Sequence, residues 1–100
     1  MKVRILACAF QDLEDGRDFY DQQDYGVGDY FIDCLTSDID SLARYGGIHG
    51  VRHGFHRMIS RRFPYAIYYR VLDNEAVVFR VLDCRRSPLR IRQILDGETP

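Results

Sequence analysis

Hydrophobic and polar residues alternate at the beginning of the chain, and the period then lengthens. The alternation covers Lys2 to Ala7 and predicts a first β-strand. Small and apolar residues then recur at helical spacing at Ala9, Leu13, Gly16 and Tyr20. This period predicts a helix that ends at about Tyr25. Because glycine in a helix interior costs about 1 kcal/mol relative to alanine, we expect another helix to cross closely at Gly16.

A second helical period follows a glycine-rich break at Gly26-Val27-Gly28. Its apolar stripe, interrupted by one aspartate, consists of Phe31, Cys34, Leu35, Asp38, Ile39 and Leu42. We expect this helix to run to about Tyr45 and to end at Gly46-Gly47, since glycine is common just past a helix C-terminus. Two helices joined by a short turn form an antiparallel hairpin, whose apolar faces need a further layer to cover them.

Three segments in the second half have the composition of β-strands and are separated by short turns. We predict strands over Phe55 to Ser60, Phe63 to Asp73 and Ala76 to Cys84. They would form an antiparallel meander. A short helix from Pro88 to Leu95 follows, with Ser87 as its N-cap and proline at its first position. The predicted fold class is therefore α+β: an N-terminal strand, an antiparallel helical hairpin, a three-stranded antiparallel meander and a short C-terminal helix.

The register between the last two strands decides which side chains share a face. If Arg70 lies opposite Arg80, one face collects Tyr65, Ile67, Tyr69, Val71, Val77, Phe79 and Val81. The other face then collects Tyr68, Arg70, Arg80 and Leu82. A register shifted by one residue mixes these sets, so we predict the unshifted one. Like charges directly opposite are unfavourable, so the two arginines either await an anion or are screened by the acidic helices.

The composition is that of one domain, residues 1–100, with 46% apolar and 13% aromatic residues to build its core. The apolar run from Ile5 to Phe10 is too short for a membrane span or a signal-peptide core. Three cysteines, Cys8, Cys34 and Cys84, are an odd number without CxxC spacing, which is typical of reduced core thiols in the cytoplasm. We therefore expect a cytoplasmic protein without a membrane segment.

The net charge of −1 conceals opposite charges in the two halves of the chain. Residues 1–50 contain four basic and ten acidic side chains, a net charge of −6, whereas residues 51–100 contain ten arginines and five acidic side chains, a net charge of +5. This asymmetry suggests an anionic partner for the second half, or neutralisation of each half by the other. The acidic residues of the first helix are Asp12, Glu14, Asp15, Asp18, Asp21 and Asp24. They spread around the helix, which favours a solvated face over a metal site.

The order of these elements resembles the ParE/RelE superfamily of toxins from bacterial toxin–antitoxin pairs. The resemblance covers essentially the whole chain. Its residues are Asp12-Leu13, Phe19 to Gln23, Asp38, Ile39 and Leu42, Arg62 to Val71, and Val81 to Pro88. The most specific part of the resemblance is the combination of the strand FPYAIYY with DCRR-x-P at the distance usual in the superfamily. The register of this combination agrees with the periodicity described above.

The resemblance implies a toxin that a cognate antitoxin neutralises by wrapping a segment around it, in a hetero-oligomer that contacts operator DNA only through the antitoxin. An exposed hairpin groove and open sheet edges suit an added helix or strand. Candidate antitoxin contacts are Phe10, Leu13, Tyr20, Phe31 and Leu35. Candidate target contacts are Arg57, Arg61, Arg62, Arg70, Arg80, Arg85 and Arg86.

Two chemistries occur in the superfamily, and they differ in target. RelE-like members cleave mRNA on the ribosome with basic residues of the meander and a tyrosine in the last helix, whereas ParE-like members block DNA gyrase without a catalytic site. At the ribonuclease positions this chain retains Arg57 and Arg86 but has Ile59, Ala66 and no tyrosine near Ile91. Cleavage by a 2′-OH needs a proton acceptor and a proton donor, and arginine is a poor proton carrier. The gyrase-binding branch is therefore favoured.

The three histidines leave an alternative open. His49, His53 and His56 are interrupted by glycines, so an ordinary connection is favoured over a metal site, and we expect neither metal nor cofactor. His56 could supply the missing proton carrier if it shared a groove with Arg57. Three hypotheses follow: a gyrase-binding toxin, a ribosome-dependent mRNA endoribonuclease that uses Arg57, Arg86 and His56, or a degenerate member that only binds its antitoxin.

Overall fold

The computed structural model describes residues 1–98 as four helices around a five-stranded sheet. The strands are β1 (Lys2–Ile5), β2 (Val51–Arg52), β3 (Phe55–Ile59), β4 (Tyr65–Leu72) and β5 (Glu75–Asp83). The helices are α1 (Ala7–Gln23), α2 (Val27–Asp40), the single-turn α3 (Leu42–Tyr45) and α4 (Pro88–Asp96). The last two residues of the predicted domain 1–100 lie outside the described residues. No helix within residues 1–98 is long and apolar enough to cross a membrane.

The sheet has the order β1-β5-β4-β3-β2, with β1 parallel to β5 and the other neighbours antiparallel. The predicted meander is confirmed as β3-β4-β5. The two-residue strand β2 was not predicted. It forms a tight hairpin with β3 through His53 and Gly54, which both have positive φ. Glycine is suited to such a turn, and histidine adopts positive φ more often than most other residues, but the flanking segment is too short to show a strand period.

The predicted helical hairpin is confirmed, and glycine determines how closely its helices approach. A Cβ atom on Gly16 of α1 would lie 2.5 Å from the ring of Phe31 on α2. The aromatic ring therefore occupies the space that any larger residue at position 16 would need, as the close crossing predicted there requires. At the connection, the backbone N–H of Gly28 donates to the Asp21 carboxylate over 2.8 Å.

The second helix is shorter than predicted. It ends at Asp40, and Ser41 separates it from α3. The Ser41 hydroxyl donates to the Asp38 carbonyl over 2.6 Å, and such side-chain bonds to the preceding turn compete with regular helix geometry. The stop at Gly46 is confirmed.

Both faces of the sheet are covered. The helical hairpin packs on one face, which we call the hairpin face, around Phe31, Leu35, Ile67, Tyr69 and Val78. Helix α4 packs on the opposite face, the α4 face, where Ile91 and Leu95 meet a cluster that includes Phe55, Tyr68 and Leu82. The Ser87 hydroxyl accepts the N–H of Arg90, which confirms the predicted N-cap of α4.

The predicted register of β4 and β5 is wrong along the whole strand pair. Up to Tyr68 the pairing is two residues away from the predicted one, which keeps the predicted faces, and beyond Tyr68 it is three residues away. A bulge places Arg80 opposite Tyr68 but Val78 opposite Tyr69, so that Phe79 is the extra residue. Arg70 consequently lies opposite Val77 and not opposite Arg80. Because one extra residue reverses the alternation, Val78 joins the hairpin face, whereas Phe79 packs with Phe55 on the α4 face.

Candidate macromolecule-binding surfaces

Arg80 makes an internal ion pair. Its Nε and Nη2 donate to the two carboxylate oxygens of Asp12 over 2.7 and 2.8 Å, and its Nη1 donates to Glu98 over 3.1 Å. Asp12 also accepts the N–H of Val81 and is only 8% exposed. The hydrogen bonds with Asp12 raise the pKa of Arg80. The expectation that Asp12 is solvated is therefore wrong, and Arg80 is not available as a target contact.

Arg85 is also neutralised from within the chain. Its Nη2 donates to the Asp83 carboxylate over 2.7 Å, and these hydrogen bonds hold the pKa of Asp83 below its ordinary value. Unlike Arg80, Arg85 is largely exposed, so this ion pair is accessible to solvent. A partner that offers a better anion could compete for it.

Four other candidate arginines lie at one end of the sheet and make no ion pair with any residue in the range 1–98. They are Arg57, Arg61, Arg62 and Arg86, and we call this surface the cationic end. They lie at the same end because β3 stops where β4 starts and where β5 finishes, as the 2.7 Å bond from the Cys84 N–H to the Pro64 carbonyl shows. Arg61, Arg62 and Arg86 are exposed, and Arg57 is half-buried.

Arg70 has aromatic neighbours in place of a carboxylate. Its guanidinium carbon lies 4.1 Å from the ring centre of Phe55 and 5.4 Å from that of Phe79. Its Nε donates to the carbonyl of Gly54 in the β2–β3 turn. These contacts hold Arg70 on the α4 face, away from the cationic end.

Two of the three candidate ribonuclease residues, Arg57 and Arg86, lie at the cationic end, but His56 does not join them. His56 stacks on Tyr69, whose ring belongs to the hairpin face, while Arg57 donates to the hydroxyl of Tyr68 on the α4 face. Adjacent strand residues point to opposite faces, so His56 and Arg57 cannot share a groove. Arg86 lines a small cavity beside Phe19 of α1. The expectation that His56 could serve Arg57 as a proton carrier is therefore wrong.

Tyr69 anchors the loop between α3 and β2. Its hydroxyl accepts the N–H of Gly47 over 2.9 Å and is hydrogen-bonded to Nδ1 of His49. Nδ1 of His56 donates to the His49 carbonyl over 2.6 Å. Burial, followed by the proximity of His56, lowers the pKa of His49. Burial likewise raises the pKa of Tyr69. These bonds draw residues 47–49 across the hairpin face of the sheet.

An open groove lies between α2 and the outer edge of β3. Its volume is about 750 Å³. It is lined by Asp33, Cys34, Ser37, Asp38, Ser41, Tyr45, Ile48, His49, Met58, Ile59, Arg61 and Arg62. Three apolar side chains at this groove are strongly exposed: Tyr45 at 53%, Ile48 at 73% and Ile59 at 47%.

The structure divides the candidate antitoxin contacts. Leu13, Phe31 and Leu35 are at most 4% exposed and form the core, so they are not available to a partner. Tyr20 is half-buried among aromatic rings that include Phe31. Only Phe10, at 54% exposure, is a surface residue. An apolar stripe along a helix identifies the residues that pack against the sheet. The prediction wrongly assigned these core residues to the surface that contacts a partner.

The cysteines also differ from expectation. All three are free thiols, but Cys8 is exposed, and Cys34 and Cys84 are half-buried. Cys34 lines the groove, and Cys84 accepts a weak hydrogen bond from Arg57 at 3.8 Å.

Comparison with known proteins agrees with this architecture. A family model described as "ParE toxin of type II toxin-antitoxin system, parDE" matches residues 3–88. The chain belongs to the ParE toxin family. The match extends from β1 to the first residue of α4, so it includes the hairpin, the sheet and the cationic end of this ParE-family chain.

The solved structures give a consistent result for the fold. A chain from the "Chromosomal ParDE TA system from P. aeruginosa" superposes with a TM-score of 0.73. Its sequence is 17% identical, and the match covers 81% of this chain and 92% of that one. At this identity the likeness establishes a shared fold. No curated protein matched the sequence.

Proposed function

We propose that this ParE-family protein inhibits DNA gyrase and that a cognate antitoxin neutralises it. The observation that carries the proposal is the separation of His56, which stacks on Tyr69 of the hairpin face, from Arg57, which bonds Tyr68 of the α4 face. A cationic surface without a convergent proton carrier can bind an anionic macromolecule but is poorly equipped for 2′-OH attack.

The chemistry around Arg57 supports binding over catalysis. Its hydrogen-bond partners are the hydroxyl of Tyr68, which is 2% exposed, and the sulfur of Cys84. Near Arg86, Tyr65 lines the same small cavity, and burial raises the pKa of Tyr65 to about 12. At neutral pH almost none of a phenol with that pKa is ionised, so Tyr65 is a poor proton acceptor. Asp83 is occupied by Arg85.

The charge of the cationic end supports a target with acidic groups. Arg61, Arg62 and Arg86 are exposed and form no ion pair with a residue in 1–98, so their guanidinium groups are available for bidentate contacts. Binding through them should weaken as salt rises, because the contacts are exposed to solvent.

The decisive experiment measures supercoiling of relaxed plasmid by purified gyrase with increasing amounts of this protein. We expect inhibition by the wild-type chain and at least tenfold weaker inhibition by the double variant Arg62→Gln/Arg86→Gln. The matched control is Arg44→Gln/Arg52→Gln, which removes the same charge from exposed arginines outside the cationic end. The product of the adjacent gene should restore supercoiling.

Other outcomes would contradict the proposal. Normal supercoiling at saturating protein rules out gyrase inhibition. Codon-positioned cuts in cellular mRNA, detected by primer extension after expression of the free chain, would instead support the endoribonuclease. If expression of the free chain left growth unaffected while the protein still bound the antitoxin, the hypothesis of a degenerate member that only binds its antitoxin would be supported.

A further inference from the structure

The outer edge of β3 is only partly covered. The Ser60 N–H donates to the Tyr65 carbonyl over 2.8 Å, which turns the backbone groups of Ser60 toward β4. Alternate residues of an antiparallel strand point their N–H and C=O groups in opposite directions, so those of Arg57 and Ile59 point outward. The Arg57 N–H is satisfied by the carbonyl of Gly50, next to β2. Ile59 lies beyond the end of β2, and no strand within residues 1–98 pairs with its outer edge.

The edge is open because the preceding loop is held elsewhere. If β2 were extended backward in register, Ile48 would lie opposite Ile59. Instead, Gly47 and His49 are bonded to the Tyr69 hydroxyl, and the His49 carbonyl is bonded to His56. These bonds fix the loop on the hairpin face and leave the backbone of Ile59 unpaired at the margin of the groove.

The chemistry of the groove constrains what can occupy this edge. Met58, Cys34, Tyr45 and Ile48 offer apolar contacts. Arg61 and Arg62 stand at the end of β3, and neither forms an ion pair with a residue in 1–98. On the α2 wall, the Asp38 carboxylate already accepts the Ser60 hydroxyl over 2.8 Å, and Asp33 is exposed.

We propose that the antitoxin inserts one extended segment here, pairing its backbone with Ile59 as a sixth strand. An apolar side chain of the segment enters the groove toward Met58, and a carboxylate beyond it binds Arg61 or Arg62. Strand addition of this kind gains affinity from backbone hydrogen bonds and specificity from alternate side chains. The inference rests on the proposed neutralisation by an antitoxin and adds its docking site.

Charge complementarity selects this occupant over a second copy of the chain. Antiparallel pairing of two β3 edges around Ile59 would set Arg61 of one copy opposite Arg57 of the other. Like charges opposite each other on paired strands are destabilising. An acidic, extended partner segment neutralises Arg61 and Arg62, whereas a second copy of the chain would bring further positive charge next to them.

Amide hydrogen exchange resolved by residue tests the proposal on the unmodified protein. The probe is the purified product of the gene adjacent to the toxin gene. In the free protein, the Ile59 amide should exchange rapidly and the Ser60 amide slowly. In the complex, the Ile59 amide should be protected at least 100-fold, while Ser60 serves as the internal control that is protected in both states.

A matched pair of variants tests the same contact by affinity. Ile59→Pro removes the outward N–H without removing a bond to β4, and proline is tolerated at such edge positions. Its dissociation constant for the probe should rise at least tenfold, whereas Ile59→Val, which keeps the N–H, should stay within about twofold of the wild type. Thermal unfolding of both variants establishes that they are folded.

The results separate this inference from the proposed function. If the probe binds but the Ile59 amide remains unprotected, the docking site is wrong and neutralisation stands. If the probe does not bind the wild-type chain, neutralisation by that partner fails and the docking site fails with it. Protection at Ile59 with weakened binding of Ile59→Pro supports both.

Discussion

Arg80 and the arginines of the cationic end have the same side chain in different surroundings. Arg80 forms ion pairs with Asp12, whose side chain is only 7% exposed, and with Glu98. Arg61 and Arg62 project from the turn after β3 into solvent. The first arginine joins β5 to α1 and to Glu98, which follows α4. The others leave their charge unneutralised, so they are the ones a partner can use.

The comparison shows that local charge density does not identify a binding surface. Seven arginines were candidates from the sequence, and the chain itself engages Arg80, Arg85 and Arg70 through ion pairs or aromatic rings. The contrast can be tested by its effect on stability, because internal arginines should be costly to disturb and surface arginines should not.

Removal of the Asp12 carboxylate should have the largest effect. Asp12→Ala leaves Arg80 with one fewer anion in a half-buried site and the Val81 N–H without its acceptor. We expect the free energy of unfolding to fall by about 3 kcal/mol. Denaturant unfolding followed by circular dichroism measures it.

A double-mutant cycle with Arg80→Ala sharpens the result. The double variant should lose less than the sum of the two single variants, because it leaves neither Asp12 nor Arg80 behind as the uncompensated half of their ion pair. Additive losses would mean that Asp12 and Arg80 stabilise the fold independently, and the comparison of the two regions would fail.

Tyr69→Phe should have the next largest effect. The ring stays in the core, but the Gly47 N–H loses its acceptor and His49 loses its partner. We expect destabilisation of about 1–3 kcal/mol in denaturant unfolding. Tyr25→Phe is the control, since Tyr25 is 97% exposed, and it should change stability by less than about 0.5 kcal/mol. Equal effects of the two variants would show that the Tyr69 hydroxyl does not anchor the loop.

Acidification should produce a smaller effect through His49. Its pKa is lower in the folded protein than the ordinary 6.5, so the unfolded chain binds a proton more readily. Stability contributed by neutral His49 is therefore present above pH 6.5 and is lost as pH falls through and below that value. The free energy of unfolding, measured from pH 8 to 5, should decline less steeply for His49→Asn than for the wild type. Parallel profiles would contradict the assignment.

The cationic end should be the least sensitive region. Arg62→Gln/Arg86→Gln should change the free energy of unfolding by less than about 0.5 kcal/mol, because neither side chain forms an ion pair within the described part of the chain, residues 1–98. The variant would be monitored by the same denaturant unfolding. A loss comparable to that of Asp12→Ala would show that Arg62 and Arg86 stabilise the fold as Arg80 does, and the difference between Arg80 and the cationic end would not hold.

The periodic parts of the fold were accessible from the sequence. Leu13 and Gly16 at helical spacing located the buried face of α1, and Ser87-Pro88 located the start of α4. These features depend on neighbours a few residues away, where spacing determines which side chains share a face.

The site was less accessible because it depends on distant contacts. The bulge at Phe79 has no local sequence signal, yet it reverses the alternation of faces along β5 and places Arg70 opposite Val77. Asp12 is 68 residues from Arg80, and His49 is 20 residues from Tyr69. Asp12 within a helical stripe next to Leu13 was the available signal for burial, since a carboxylate beside the apolar face needs a cation. The groove combines residues of three segments and has no single motif.

The arginines beside the open edge of β3 also affect the behaviour of the protein at high concentration. Unpaired strand edges promote sheet-to-sheet growth of insoluble assemblies, and a positively charged side chain at the edge opposes it. Arg61 and Arg62 stand where a second molecule would have to stack, so they act as gatekeepers against self-aggregation. Neutralising them should therefore lower the solubility of the partner-free chain even where its folding is unchanged.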